Sequence, residues 1–198
     1  MVVGKSVITE SEILREIRLT ALLNGTALDF SAASKRAAAE RLVEQRLIRT
    51  EIDVSPYPPP PPGAVEQMLK QIRDRFPTQA RYRQELQKAG VTEDELKEHF
   101  QRQVATLRFI DFRFRPGIQP GDEDIGAYFN QRLSPQLKKA HPGMEFSLAD
   151  YRTQAEQALI EERVDKASDE WLKQARGHTR IEFRPGVFAE PQPQEASK

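Results

Sequence analysis

Residues 92–114 read TEDELKEHFQRQVATLRFIDFRF, and this stretch decides the fold. Leu96, Phe100, Val104, Leu107, Ile110 and Phe114 recur at steps of three and four, the spacing that gathers side chains on one face of an α-helix. Thr92 followed by Glu95 forms a capping box: the threonine hydroxyl accepts a free backbone N–H and the glutamate reaches back to the cap. A long amphipathic helix over 93–114 is the expectation. Its apolar face requires other helices to cover it.

Working outward, the same signals recur. Thr9 and Glu12 make a second capping box, and Ser147 with Asp150 a weaker version. Val65, Met68, Leu69, Ile72 and Phe76 share one helical face. Helices are therefore expected near 10–24, 32–52, 64–76, 78–89, 93–114 and 122–138, with a last one starting after Ser147. Tyr151, Ala155, Ala158, Leu159, Ala167, Trp171 and Ala175 carry its stripe to Arg176, and Gly177 is placed as its stop. Val2 to Val7 reads as a short strand, and Thr179–Phe183 alternates as a half-buried strand does. A lone strand cannot satisfy its backbone groups, so the two are expected to pair with each other. The fold class is mainly α with a small two-stranded sheet.

The stretch SPYPPPPPGAV, residues 55–65, interrupts the helical pattern with five consecutive prolines, Pro58 to Pro62. Proline stops helices and a proline run is stiff and extended, so this segment reads as a surface loop between a helix ending near Asp53 and one beginning near Ala64. It lacks the basic flank that orients proline-rich ligands. The segment 184–198, with Pro185, Pro191 and Pro193, has no apolar periodicity and is expected to be disordered. No internal repeat of fixed period is present.

Composition excludes several functions. Thirty basic and thirty acidic residues balance, so no whole-molecule field draws the chain to nucleic acid. The absence of cysteine removes disulfides, thiolate metal sites and thiol catalysis. No apolar run has the ~20 residues a membrane-spanning helix needs, so membrane insertion is not expected, and the N-terminal residues show no export signal. His99, His141 and His178 stand apart from one another and from carboxylates at metal-ligand spacing; they read as solvated or capping, and no metal is assigned. Glu93–Glu95 and Asp122–Asp124 fall in first helical turns, where the dipole favours negative charge, rather than forming catalytic pairs. No serine-nucleophile or phosphate-cradling motif occurs, and no cofactor is expected. The expectation is a protein that is not an enzyme.

Arg108-Phe-Ile-Asp-Phe-Arg-Phe-Arg115 interleaves cations and rings as single-strand binders do, but it continues a core stripe, and nucleic acid is not a favoured partner. Phe109, Phe112 and Phe114 cannot all face one buried stripe. Met68, Phe76, Tyr82, Phe109 and Phe112 are the candidates for a client-binding surface, with ordinary core packing the competing role for each.

Four segments in order resemble the SurA family of extracytoplasmic chaperones: VVGKSVITESEILREIRL (2–19), SAASKRAAAERLVEQRLIRTE (31–51), GVTEDELKEHFQRQVATLRFIDFRFRPGIQPGDEDIGAYF (90–129) and EERVDKASDEWLKQARGHTRIEF (161–183). The resemblance covers most of residues 2 to 183. It implies a single helical chaperone core over 1–183, in which the N-terminal segment 1–138 is completed by the helix and strand of 147–183. Relatives carry inserted parvulin isomerase domains; here only RLSPQLKKAHPGMEF (132–146) separates the two parts. The implied function is an ATP-independent holdase for unfolded exported proteins, including outer-membrane or secreted clients, without isomerase activity. The implied compartment is periplasmic or otherwise extracytoplasmic. The alternative is a helical assembly module for one dedicated protein partner. Helices joined by 134–146 can pack within one chain or exchange between two, so a homodimer is also compatible.

Overall fold

The computed structural model describes residues 1–55, 57–183 and 188. The expected disorder of 184–198 therefore lies outside the described residues, Phe188 excepted. The chain runs β1 (Val2–Val3), β2 (Ser6–Val7), α1 (Glu10–Asn24), α2 (Ala32–Val54), α3 (Ala64–Arg73), α4 (Gln79–Ala89), α5 (Glu93–Phe114), α6 (Asp122–Tyr128), α7 (Ser134–Ala140), α8 (Leu148–His178) and β3 (Ile181–Glu182). The fold is mainly α with a small antiparallel sheet.

The sheet has three strands in the order β2-β1-β3 rather than two. The expected single strand over 2–7 turns back on itself, because Gly4 takes a φ of +57° and opens a two-residue hairpin with Lys5. Val2 then faces Val7 on one side and Glu182 on the other, while Val3 faces Ser6 and Ile181. The pairing of the first strand with the last is as expected.

The described chain divides into two compact units. Unit 1 is Met1–Phe109 with the described residues from Gln174 onward, and unit 2 is Ile110–Lys173. The boundaries fall inside α5 and α8.

In unit 1, Leu19, Leu69, Ile72, Tyr82, Leu86, Val91, Leu96 and Phe100 form a buried cluster, with Val65, Met68 and Phe76 packed against it. The α3 face read from the sequence is thus the buried one. The helix itself stops at Arg73 rather than 76: Pro77 disfavours helical geometry in the residue before it, and Phe76 reaches the cluster from a turn. Thr9 and Thr92 each accept the N–H three residues on, and Glu12 and Glu95 accept the N–H of those threonines, so both capping boxes are present.

In unit 2, Ile125, Phe129, Leu133, Ala155 and Leu159 form the buried cluster. The run expected over 122–138 extends to Ala140 but contains one wide π turn, Phe129–Leu133. Pro135 explains it, since proline has no N–H for the preceding turn and its ring crowds the carbonyl four residues back. Helix α8 passes Gly177 and ends at His178, where Nδ1–H donates to the carbonyl of Gln174 at 2.8 Å. The imidazole satisfies a terminal carbonyl, so the glycine is not needed as the stop.

Candidate functional site

Three helices of unit 1 enclose a cavity of about 420 Å³. Helix α1 contributes Glu12, Arg15, Glu16 and Leu19, one face at helical spacing. Its register is set by the capping box, which fixes Glu12 at the third position of the helix. Helix α2 lies antiparallel to α1, because Glu12 pairs with Arg46 while Glu16 and Thr20, further along α1, meet Arg41, earlier in α2. Leu42, Arg46, Arg49 and Ile52 of α2 therefore turn to the cavity, with Gln45 and Ile48 between them. Helix α5 closes it with Arg102, Ala105 and Thr106.

The lining mixes apolar and charged side chains. Glu16 is 4% exposed, and a buried carboxylate is tolerated only when compensated. Arg41 Nε donates to it at 3.2 Å, and Arg41 also donates to the Thr20 hydroxyl at 3.3 Å. His99 Nδ1 lies 3.9 Å from the other Glu16 oxygen, beyond hydrogen-bond reach. Its side chain is only 14% exposed, so the expectation of a solvated or capping His99 is corrected. Burial holds this imidazole below its ordinary pKa, and Arg102 and Arg41 add to the effect, while Glu16 opposes it. Arg15 pairs with Glu95 at 2.8 Å and Arg49 with Asp53 at 2.8 Å. The Glu95 carboxyl is lowered, first by the Thr92 backbone N–H and less by Arg15.

Guanidinium groups cannot ligate metals, and among the described residues no group of three His, Asp or Glu side chains could hold one. The arrangement suits binding through apolar contact and charge-assisted hydrogen bonds.

Of the five side chains singled out in the sequence, Met68, Phe76 and Tyr82 meet in one cluster, and Phe109 and Phe112 are not among its residues. Met68 and Phe76 are partly buried against the unit 1 cluster, with the Phe76 ring 5.8 Å from that of Tyr82. Tyr82 is 1% exposed and Phe109 0% exposed, which removes both from any client surface. In α4, whose sequence is otherwise polar, Tyr82 and Leu86 are the buried anchors. Phe109 stands about 180° around α5 from Phe100, off the expected stripe, and its face is covered by Tyr57, whose ring meets it edge-on at 5.1 Å. Leu107, expected in the stripe, is exposed. Phe112, in unit 2, is 52% exposed. Phe114 packs on Trp171 at 6.4 Å, and Arg113 lies over the same indole.

Sequence reasoning missed the cavity because it searched for wholly apolar faces. The signal was present in RLVEQRLIRTEI (41–52), where leucine and isoleucine share a helical face with arginine. No helix among the described residues is long and apolar enough to cross a membrane. No protein-family model, curated protein or solved structure matches the chain.

Proposed function

We propose that the protein is an ATP-independent holdase of the SurA type, which binds extended segments of unfolded exported proteins and has no isomerase activity. The observation that carries this reading is the cavity between α1, α2 and α5. It pairs apolar side chains with a charged wall, so it offers contact to unfolded chains while remaining soluble when empty. A holdase needs no acid, base or nucleophile. The sheet supports the resemblance on separate grounds, since β3 returns to β1 at the end of α8, as the family arrangement implies. An extracytoplasmic location follows from the same resemblance. The test is light scattering of unrelated proteins diluted from denaturant, outer-membrane proteins among them. Suppression of aggregation at near-stoichiometric amounts is expected. Binding to a single native partner with no effect on unfolded chains would instead favour the dedicated assembly module. Catalysis of a proline-limited peptide assay would overturn the absence of isomerase activity.

A further inference from the structure

We propose that acid moves the buried Glu16 carboxylate from Arg41 of α2 to His99 of α5, so that one proton loosens the tie between α1 and α2 at the cavity wall. Glu16 stands between the two cationic partners. Its Oε1 accepts from Arg41 Nε at 3.2 Å, and its Oε2 lies 3.9 Å from His99 Nδ1. Among the described residues that buried Nδ1 has no hydrogen-bond partner. A polar atom shut away from water without a partner costs free energy, and at this ring a single proton supplies the missing bond.

Neutral imidazole carries a hydrogen on one nitrogen only, and a bare Nδ1 facing a carboxylate sets acceptor against acceptor. The gap of 3.9 Å fits that state. When the ring is protonated both nitrogens donate, and closing the gap by about 1 Å makes a charge-assisted hydrogen bond of ordinary length.

The charges around the ring decide which partner Glu16 keeps. The imidazole faces Glu16 from α1, Arg41 from α2 and Arg102 from its own helix, while Glu95, four residues earlier on α5, is tied to Arg15. Burial opposes the charged ring most, Arg102 and Arg41 oppose it further, and Glu16 favours it, so proton uptake begins below the ordinary histidine range. Once the ring is charged, one buried carboxylate faces an imidazolium and a guanidinium that repel each other. The group that leaves is the one with access to water. The His99 side chain is 14% exposed and that of Arg41 is 41% exposed. Both bonds of Arg41 are also long, 3.2 Å to Glu16 and 3.3 Å to the Thr20 hydroxyl, and its released guanidinium is hydrated rather than stranded. Because Arg41 reaches α1 through these two residues and Glu16 lines the cavity, the exchange acts on that wall.

Side-chain NMR of the full chain tests this, with the His99 ring nitrogens and the Arg41 Nε–H followed from about pH 7.5 downward. As the ring takes up its proton, the Arg41 Nε–H should exchange with water about tenfold faster relative to the exposed Arg83, the loss of one charge-assisted hydrogen bond. In His99→Gln that ratio should stay constant. Glu16→Gln should move His99 protonation to lower pH, because the attractive charge is gone. Arg102→Gln, at an exposed position, guards against misfolding and should move it to higher pH. A ring that protonates while Arg41 stays protected, or an Arg41 that responds equally in His99→Gln, overturns the proposal. So does a ring that stays neutral until the chain unfolds.

Discussion

Units 1 and 2 are both closed by helical apolar faces, yet they treat charge differently. Unit 2 buries Ile125, Phe129, Leu133, Ala155 and Leu159 and keeps its carboxylates at the edge, where Asp122 meets Arg152 and Asp124 meets Arg163. Unit 1 buries Glu16 beside Arg41 and His99 at the wall of a cavity. Burying a carboxylate costs stability that a well-packed leucine would not, so Glu16 is tolerated at the cavity through its pairing with Arg41. The contrast yields predictions in order of size.

The largest effects should come from the two clusters. Phe100→Ala is expected to cost about 3–5 kcal/mol and Ile125→Ala about 2–4 kcal/mol in urea unfolding. Hydrogen exchange should show lost protection centred in unit 1 for the first and in unit 2 for the second. Exchange that rises only in the opposite unit would break the division. Next, Glu16→Gln should cost about 1–3 kcal/mol, because Arg41 loses its ionic partner at a buried position. A stability unchanged in that variant would erase the distinction drawn between the units.

Caps should not distinguish the units at all. Thr92→Ala in unit 1 and Ser147→Ala in unit 2 each remove a side-chain acceptor for a helical N–H, and each should cost about 1 kcal/mol. Acidity should distinguish them. His99 faces Glu16, Arg41 and Arg102, and burial lowers its pKa in the folded state. Below the ordinary histidine pKa of about 6.5, the unfolded chain takes up a proton that the folded chain resists, so stability is full above that pH and declines as pH falls through the window. His99→Gln should flatten the decline measured between about pH 7.5 and 5.5. The lowered Glu95 carboxyl acts in a separate range, its contribution being lost only below about pH 4.5. Smallest of all, deleting three of Pro58–Pro62 while keeping Tyr57 should shift stability by less than about 0.5 kcal/mol.

Local chemistry made much of this fold legible. Thr9, Thr92 and Ser147 located three helix starts, and the apolar spacing of 65–76 gave the buried face of α3. Three features escaped, two of them because they depend on distant parts of the chain. The hairpin at Gly4 was hidden in a run short enough to read as one strand. The burial of Phe109 depends on Tyr57, some fifty residues away in sequence and just past the end of α2. Periodicity along α5 cannot contain that information, and so it placed Leu107 inside and left Phe109 as surplus. The cavity escaped for a related reason: Arg46 and Arg49 look like a solvated face until α1 and α5 are set opposite them.

The central claim is that unfolded chains are held at the cavity of unit 1. Its most direct test is photo-crosslinking to an unfolded outer-membrane protein, with a photoreactive phenylalanine analogue placed in turn at Thr106, which lines the cavity, and at Gln136, an exposed residue of α7 in unit 2. The account predicts a strong cross-link from position 106 that competes with excess unlabelled client, and little from position 136. Equal cross-linking at both positions, or cross-linking at 136 alone, would contradict it.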